Sequence, residues 1–119
     1  MMANLNKELT EHNSKVVVLD FIKALNAEDF DLARLQLHDD LIFKGVMSER
    51  SGADAYMEDL KKLKLKYEVK KIFTDNEEVC LFYDININGK KLFGSGWYVL
   101  ENEKIKSFKV IFDPRPVLA

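Results

Sequence analysis

Near Leu63 the hydrophobic period of the chain changes, and this change constrains the fold more than any other feature of the sequence. Up to that point apolar residues recur at helical spacing. Beyond it Leu63, Leu65, Tyr67 and Val69 alternate with Lys64, Lys66, Glu68 and Lys70, the period of two of a strand with one wet face. A chain that spends its first half on helices and its second on strands falls in the α+β class, with helices gathered on one face of a mainly antiparallel sheet.

The first half carries three predicted helices. Residues 1–12 read as a loose polar start, and Ser14 as the N-cap of a helix that buries Val18, Phe21, Ile22 and Leu25 and ends near Asn26. Asp29 caps a second helix over 30–37, in which Phe30, Ala33 and Leu37 share one face. A short apolar strand over 41–46 follows the turn His38-Asp39-Asp40. Ser51-Gly52-Ala53-Asp54 then opens a third helix with Tyr56, Leu60 and Leu63 inside and Glu58, Asp59, Lys61 and Lys62 in water.

The second half reads as a meander. Asn88-Gly89 is the strongest short hairpin signal, joining strands over 79–87 and 91–100, and Glu101-Asn102-Glu103 leads into a last strand over 104–112. Pro114 and Pro116 sit in a loose tail over 113–119, where they break no ladder. The lysines between Lys61 and Lys71 lack interleaved aromatics, so they read as a solvated face rather than a nucleic-acid patch. Gly94 and Gly96 remove side chains from one face of the same strand, which marks either a bend or room for a ligand.

Composition narrows the function classes. At 119 residues, 47% apolar and 32% charged, the chain reads as a single soluble domain over 1–119. A formal charge of −2 favours neither nucleic acid nor an anionic membrane as partner. Nothing in it reads as a signal peptide or membrane span, so a cytoplasmic location is expected. Cys80 has no disulfide partner, and with only His12 and His38 no metal site and no cofactor is expected.

Residues 12–57, above all Phe21-Ile22-Lys23-Ala24-Leu25-Asn26-Ala27-Glu28-Asp29-Phe30-Asp31, Leu37-His38-Asp39-Asp40 and Arg50-Ser51-Gly52, resemble the ketosteroid isomerase and SnoaL-like branch of the nuclear transport factor 2-like (NTF2-like) superfamily. The later hairpin and last strand fit the same pattern. The resemblance implies a cone-shaped, cystatin-like fold around an apolar cavity, and a homodimer made through the outer sheet face. It also implies where isomerase groups would stand. The tyrosine position falls at Phe21, the carboxylate base at Gly45 and the second acid at or beside Gly96, so none of the three groups is present. An epoxide hydrolase of this family needs an arginine between two acids, and the chain has only Arg34, Arg50 and Arg115. A histidine-dependent dehydratase would have to use His38.

The strand phasing assigns two faces. Phe21, Phe43, Gly45, Tyr56, Leu60, Leu81, Tyr83, Gly96, Tyr98, Phe108, Val110 and Phe112 are expected around the cavity. Phe82, Phe93, Trp97, Val99 and Ile111 are expected outside, too much apolar surface to leave in water and therefore the expected dimer interface. Three functions stay open: an apolar small-molecule binder; a SnoaL-like isomerase, cyclase or dehydratase with Tyr83 or Tyr98 as acid and Asp40 as base; and an interaction module whose cavity its own side chains fill.

Overall fold

Asn88 and Gly89 both take positive φ, 52° and 80°, the geometry that matches a two-residue hairpin to the twist of its strands. The hairpin they close organises a sheet of six strands in the order β2-β1-β6-β5-β4-β3. The computed structural model describes residues 2–118. Its elements are α1 (Met2–Asn26), α2 (Phe30–Leu35), β1 (Leu37–Lys44), β2 (Glu49–Ser51), α3 (Ala53–Leu63), β3 (Lys66–Asp75), β4 (Glu78–Ile87), β5 (Lys90–Glu101), β6 (Lys104–Phe112) and α4 (Arg115–Leu118). Every pairing is antiparallel except β1 against β6, which is parallel.

The helices cover one face of this curved sheet. Val18, Phe21, Ile22 and Leu25 of α1 are buried, as their spacing predicts, and Phe21 meets Phe108 of β6 edge-on at 6.2 Å. Asp29 caps α2, its carboxylate accepting the Leu32 N–H at 3.1 Å. Leu81, Tyr83 and Ile85 of β4 face inward with Tyr98 of β5 and Phe108 of β6. The lysines of 61–71 are largely solvated ion-pair donors: Lys61 to Glu58, Lys64 and Lys66 to Glu28, and Lys70 to Glu68.

Five local expectations are corrected. The N-terminal segment is not loose: α1 continues through it from Met2, and Ser14 is a buried mid-helix residue rather than a cap. Tertiary contacts hold that extension, since the Glu11 carboxylate accepts the Asn76 N–H at 2.9 Å and Lys7 lies 3.9 Å from Asp75. The first strand begins at Leu37, because β6 pairs with it there and a register shift absorbs residues 38–41. A further short strand, β2, pairs back onto β1. Leu63 ends α3 at 40% exposure, and Met57 takes its place in the buried stripe. The tail forms the short α4, tethered by Lys90, whose ammonium donates to the Pro116 carbonyl.

Candidate functional site

Three glycines decide which part of the cone is full and which is open. A Cβ on Gly96 would lie 2.9 Å from Tyr98 Cε1 and 3.0 Å from its hydroxyl, so the Tyr98 ring occupies the space that the glycine leaves. Gly94 pairs with Tyr83, and its Cβ would meet the Ile111 carbonyl first, at 3.0 Å, and the Tyr83 ring at 3.4 Å. Gly45 lies under the Phe43 ring, 2.8 Å from where its Cβ would be. Each glycine hosts an aromatic ring, the way strands fill the gap a glycine creates. Phe108 completes the filled half, stacked on Tyr98 at 4.9 Å and edge-on to Tyr56 at 5.3 Å.

The other half is open. A cavity of about 670 Å³ lies between α3, the 45–48 loop and the ends of β3, β4 and β6. Its wall is mainly apolar, from Phe43, Leu60, Ile85, Val110 and Phe112, with Tyr56 and Tyr67 adding hydroxyls. Arg50 of β2 and Asp59 of α3 meet on the same wall in a two-pronged ion pair, Nε to Oδ2 at 2.6 Å and Nη2 to Oδ1 at 2.9 Å. The Arg50 hydrogen bonds hold the Asp59 carboxyl below the usual carboxylate range, and Asp59 in turn raises Arg50. The pair therefore stays ionised and locks β2 to α3.

Of the residues expected around the cavity, Phe43, Gly45, Tyr56, Leu60, Val110 and Phe112 line it. Phe21, Leu81, Tyr83, Gly96, Tyr98 and Phe108 do not. They form the packed floor behind it, because the two β5 glycines admit tyrosine rings instead of a ligand. Asp40 is also corrected: its side chain is 80% exposed, near Lys106, and stands outside the cavity wall. His38 accepts the Asp40 N–H at its Nδ1 and is likewise outside. Arg34 does sit between two acids, Asp39 at 2.6 Å and Asp54 at 2.7 Å, but on the outer surface, with both carboxylates well exposed.

Burial pushes the hydroxyls of Tyr56, Tyr67, Tyr83 and Tyr98 up, so at neutral pH all four stay protonated hydrogen-bonding groups rather than bases. On the opposite sheet face Phe93, Trp97 and Ile111 are 61%, 47% and 68% exposed, beside half-buried Phe82 and Val99. Phe73 joins them, edge-on to Phe82, which stacks on Phe93. Among the described residues no cluster of histidine, cysteine or carboxylate side chains could hold a metal ion. No helix of those residues is long and apolar enough to cross a membrane.

Tyr67, Arg50 and Asp59 are among the lining residues outside the set expected from the sequence. Tyr67 was accessible to sequence reasoning, since it shares the apolar side of the β3 alternation with Leu65 and Val69. The ion pair was not, because it joins a strand and a helix nine residues apart through a turn of the chain.

No protein-family model matches the chain, and no curated protein sequence does. Among solved structures it resembles an NTF2-like protein of unknown function from Cytophaga hutchinsonii, at 46% identity and a TM-score of 0.88, over 89% of this chain and 95% of that one. A protein assigned as a SnoaL-like polyketide cyclase from Jannaschia sp. CCS1 matches at 12% identity and a TM-score of 0.79, over 92% and 91% of the two chains. An LEH-like epoxide hydrolase from M. tuberculosis matches at 24% and 0.75, over 88% and 86%. The last two likenesses concern the fold alone.

Proposed function

The chain belongs to the NTF2-like proteins, and from that premise we propose that it binds an apolar small molecule in the open half of its cone and acts as a homodimer. One observation carries the reading: a cavity of about 670 Å³ with a mainly apolar wall, within the size range of small-molecule sites. The positions where the isomerases of this fold would keep their acid and base groups hold Phe21, Gly45 and Gly96, which favours binding without that chemistry. A reaction based on Asp40 is disfavoured, because its carboxylate lies outside the cavity wall. An interaction module filled by its own side chains accounts for the floor and leaves the open half unexplained.

The homodimer reading is supported by the outer face, where Phe73, Phe93, Trp97 and Ile111 are all about half exposed or more on one side of one sheet. Covering that face with a second copy removes it from water symmetrically. The lone, unpaired Cys80 is compatible with a reducing compartment such as the cytoplasm.

Native mass spectrometry of the protein as purified from cells tests both parts together. The expected spectrum is a dimer, with retained mass or with added methylnaphthalene bound one per chain. A monomer overturns the dimer. A protein that carries no ligand and takes up no methylnaphthalene overturns the binding function.

A further inference from the structure

The exposed part of the cavity wall marks its mouth. Val46 and Met47 of the 45–48 loop and Leu63 at the end of α3 line the cavity, yet are 41%, 55% and 40% exposed. The charged residues of the wall, Glu49 and Arg50 of β2 with Asp59 and Lys62 of α3, come from the same two neighbouring elements. Cross-strand register sorts those of β2. Arg50 pairs with Phe43, whose ring packs on Tyr56 and Phe108 inside the cone, so Arg50 shares the cavity side of the sheet. Glu49 pairs with Lys44 and is turned to the opposite side. What remains at the mouth is two cations, Arg50 and Lys62, against the single carboxylate of Asp59.

That carboxylate is already engaged. Asp59 holds Arg50 side-on, through Nε at 2.6 Å and Nη2 at 2.9 Å. A side-on grip spares Nη1, whose two N–H donors make no hydrogen bond among the described residues. Lys62 is spared as well. Its neighbours Lys61 and Lys64 pair with Glu58 and Glu28, whereas Lys62 has no ion-pair partner among the described residues. Asp59 thus acts as a positioning residue, fixing a guanidinium with unused donors beside a second cation where an apolar cavity meets water. An anion would be costly on the floor, since no charged side chain among the described residues is fully buried there to meet it. At the mouth it keeps both water and counter-charge.

We propose that the mouth of the cavity is a carboxylate subsite: the ligand is an amphipathic acid whose apolar body fills the open half and whose carboxylate accepts hydrogen bonds from Arg50 Nη1 and the Lys62 ammonium. This subsite rests on the binding function proposed above and adds to it the chemical class of the ligand.

Equilibrium dialysis of the full chain at neutral pH, with methylnaphthalene, naphthoate and naphthylmethylamine as neutral, anionic and cationic probes of similar shape, tests it. Naphthoate is expected to bind on the order of tenfold more tightly than the amine, against the formal charge of −2 of the whole chain. Arg50→Gln is expected to abolish that ratio. Lys62→Gln, which breaks no ion pair of the fold, is expected to cut it about threefold, and Lys61→Gln, which lies off the cavity wall, to leave it unchanged. Equal affinity for naphthoate and the amine, with methylnaphthalene bound, overturns the subsite and leaves the apolar cavity standing. A ratio that Lys62→Gln does not lower, or that Lys61→Gln lowers as much, overturns it as well. If none of the three probes binds, the cavity function fails and the subsite with it.

Discussion

Gly96 shows how a single residue sets the balance between a filled and an open cone. Its missing Cβ is what lets the Tyr98 ring lie flat on β5, and Tyr98 in turn stacks on Phe108 and is almost completely buried. A ring held on both sides cannot yield to a methyl group placed 2.9 Å away. Gly96→Ala is therefore expected to destabilise the fold by about 1–3 kcal/mol, the usual cost of overpacking a core, read as a lower urea midpoint at unchanged slope. An unchanged midpoint would mean that Tyr98 has room to move. In the sequence the glycine pair was visible, and both a bend and a vacancy were open readings. Which neighbour fills the vacancy depends on cross-strand register, and the sequence around Gly96 does not carry that information.

At the scale of elements, β2 and α3 are joined across the cavity wall by Arg50 and Asp59, both partly exposed. The folded-state pKa of Asp59 is depressed, so its contribution to stability is present above the unfolded carboxylate value and is lost as pH falls through the folded one. Asp59→Asn is accordingly expected to lower the urea midpoint at pH 7 and to differ little from the unaltered protein well below about pH 4. A difference that persisted undiminished into acid would show that the pair acts through packing rather than charge. Neither partner announced itself in the sequence: Asp59 read as one more water-facing position of an amphipathic helix, and β2 was too short to leave a periodic signal. The extension of α1 was missed for a related reason, because what orders the polar residues before Ser14 is contact with the β3–β4 turn through Glu11 and Lys7.

For the whole molecule the outer sheet face is the deciding surface. Trp97 and Ile111 stand near its centre, and Lys109 already lies over the Trp97 ring at 5.3 Å. Replacing both, Trp97→Lys with Ile111→Lys, is expected to give a monomer in analytical ultracentrifugation that still binds methylnaphthalene, since neither residue lines the cavity. A dimer that survives the double substitution would place the interface elsewhere.

Much of this molecule was determined by local patterning that the sequence carries on its own. The switch of period near Leu63, the Asp29 cap and the Asn88-Gly89 turn specify helices followed by an antiparallel meander, because each acts over a few residues and needs no distant partner. Alternation along β4, β5 and β6 likewise sorts inner from outer residues, since a strand turns successive side chains to opposite faces whatever it pairs with. Only the tertiary structure decided where the cone is hollow. That depends on which ring enters the gap of which glycine, how β1 is shifted against β6, and how Arg50 finds Asp59. These are matters of packing between segments far apart in the chain, where complementarity of shape and charge is settled only once the elements are assembled.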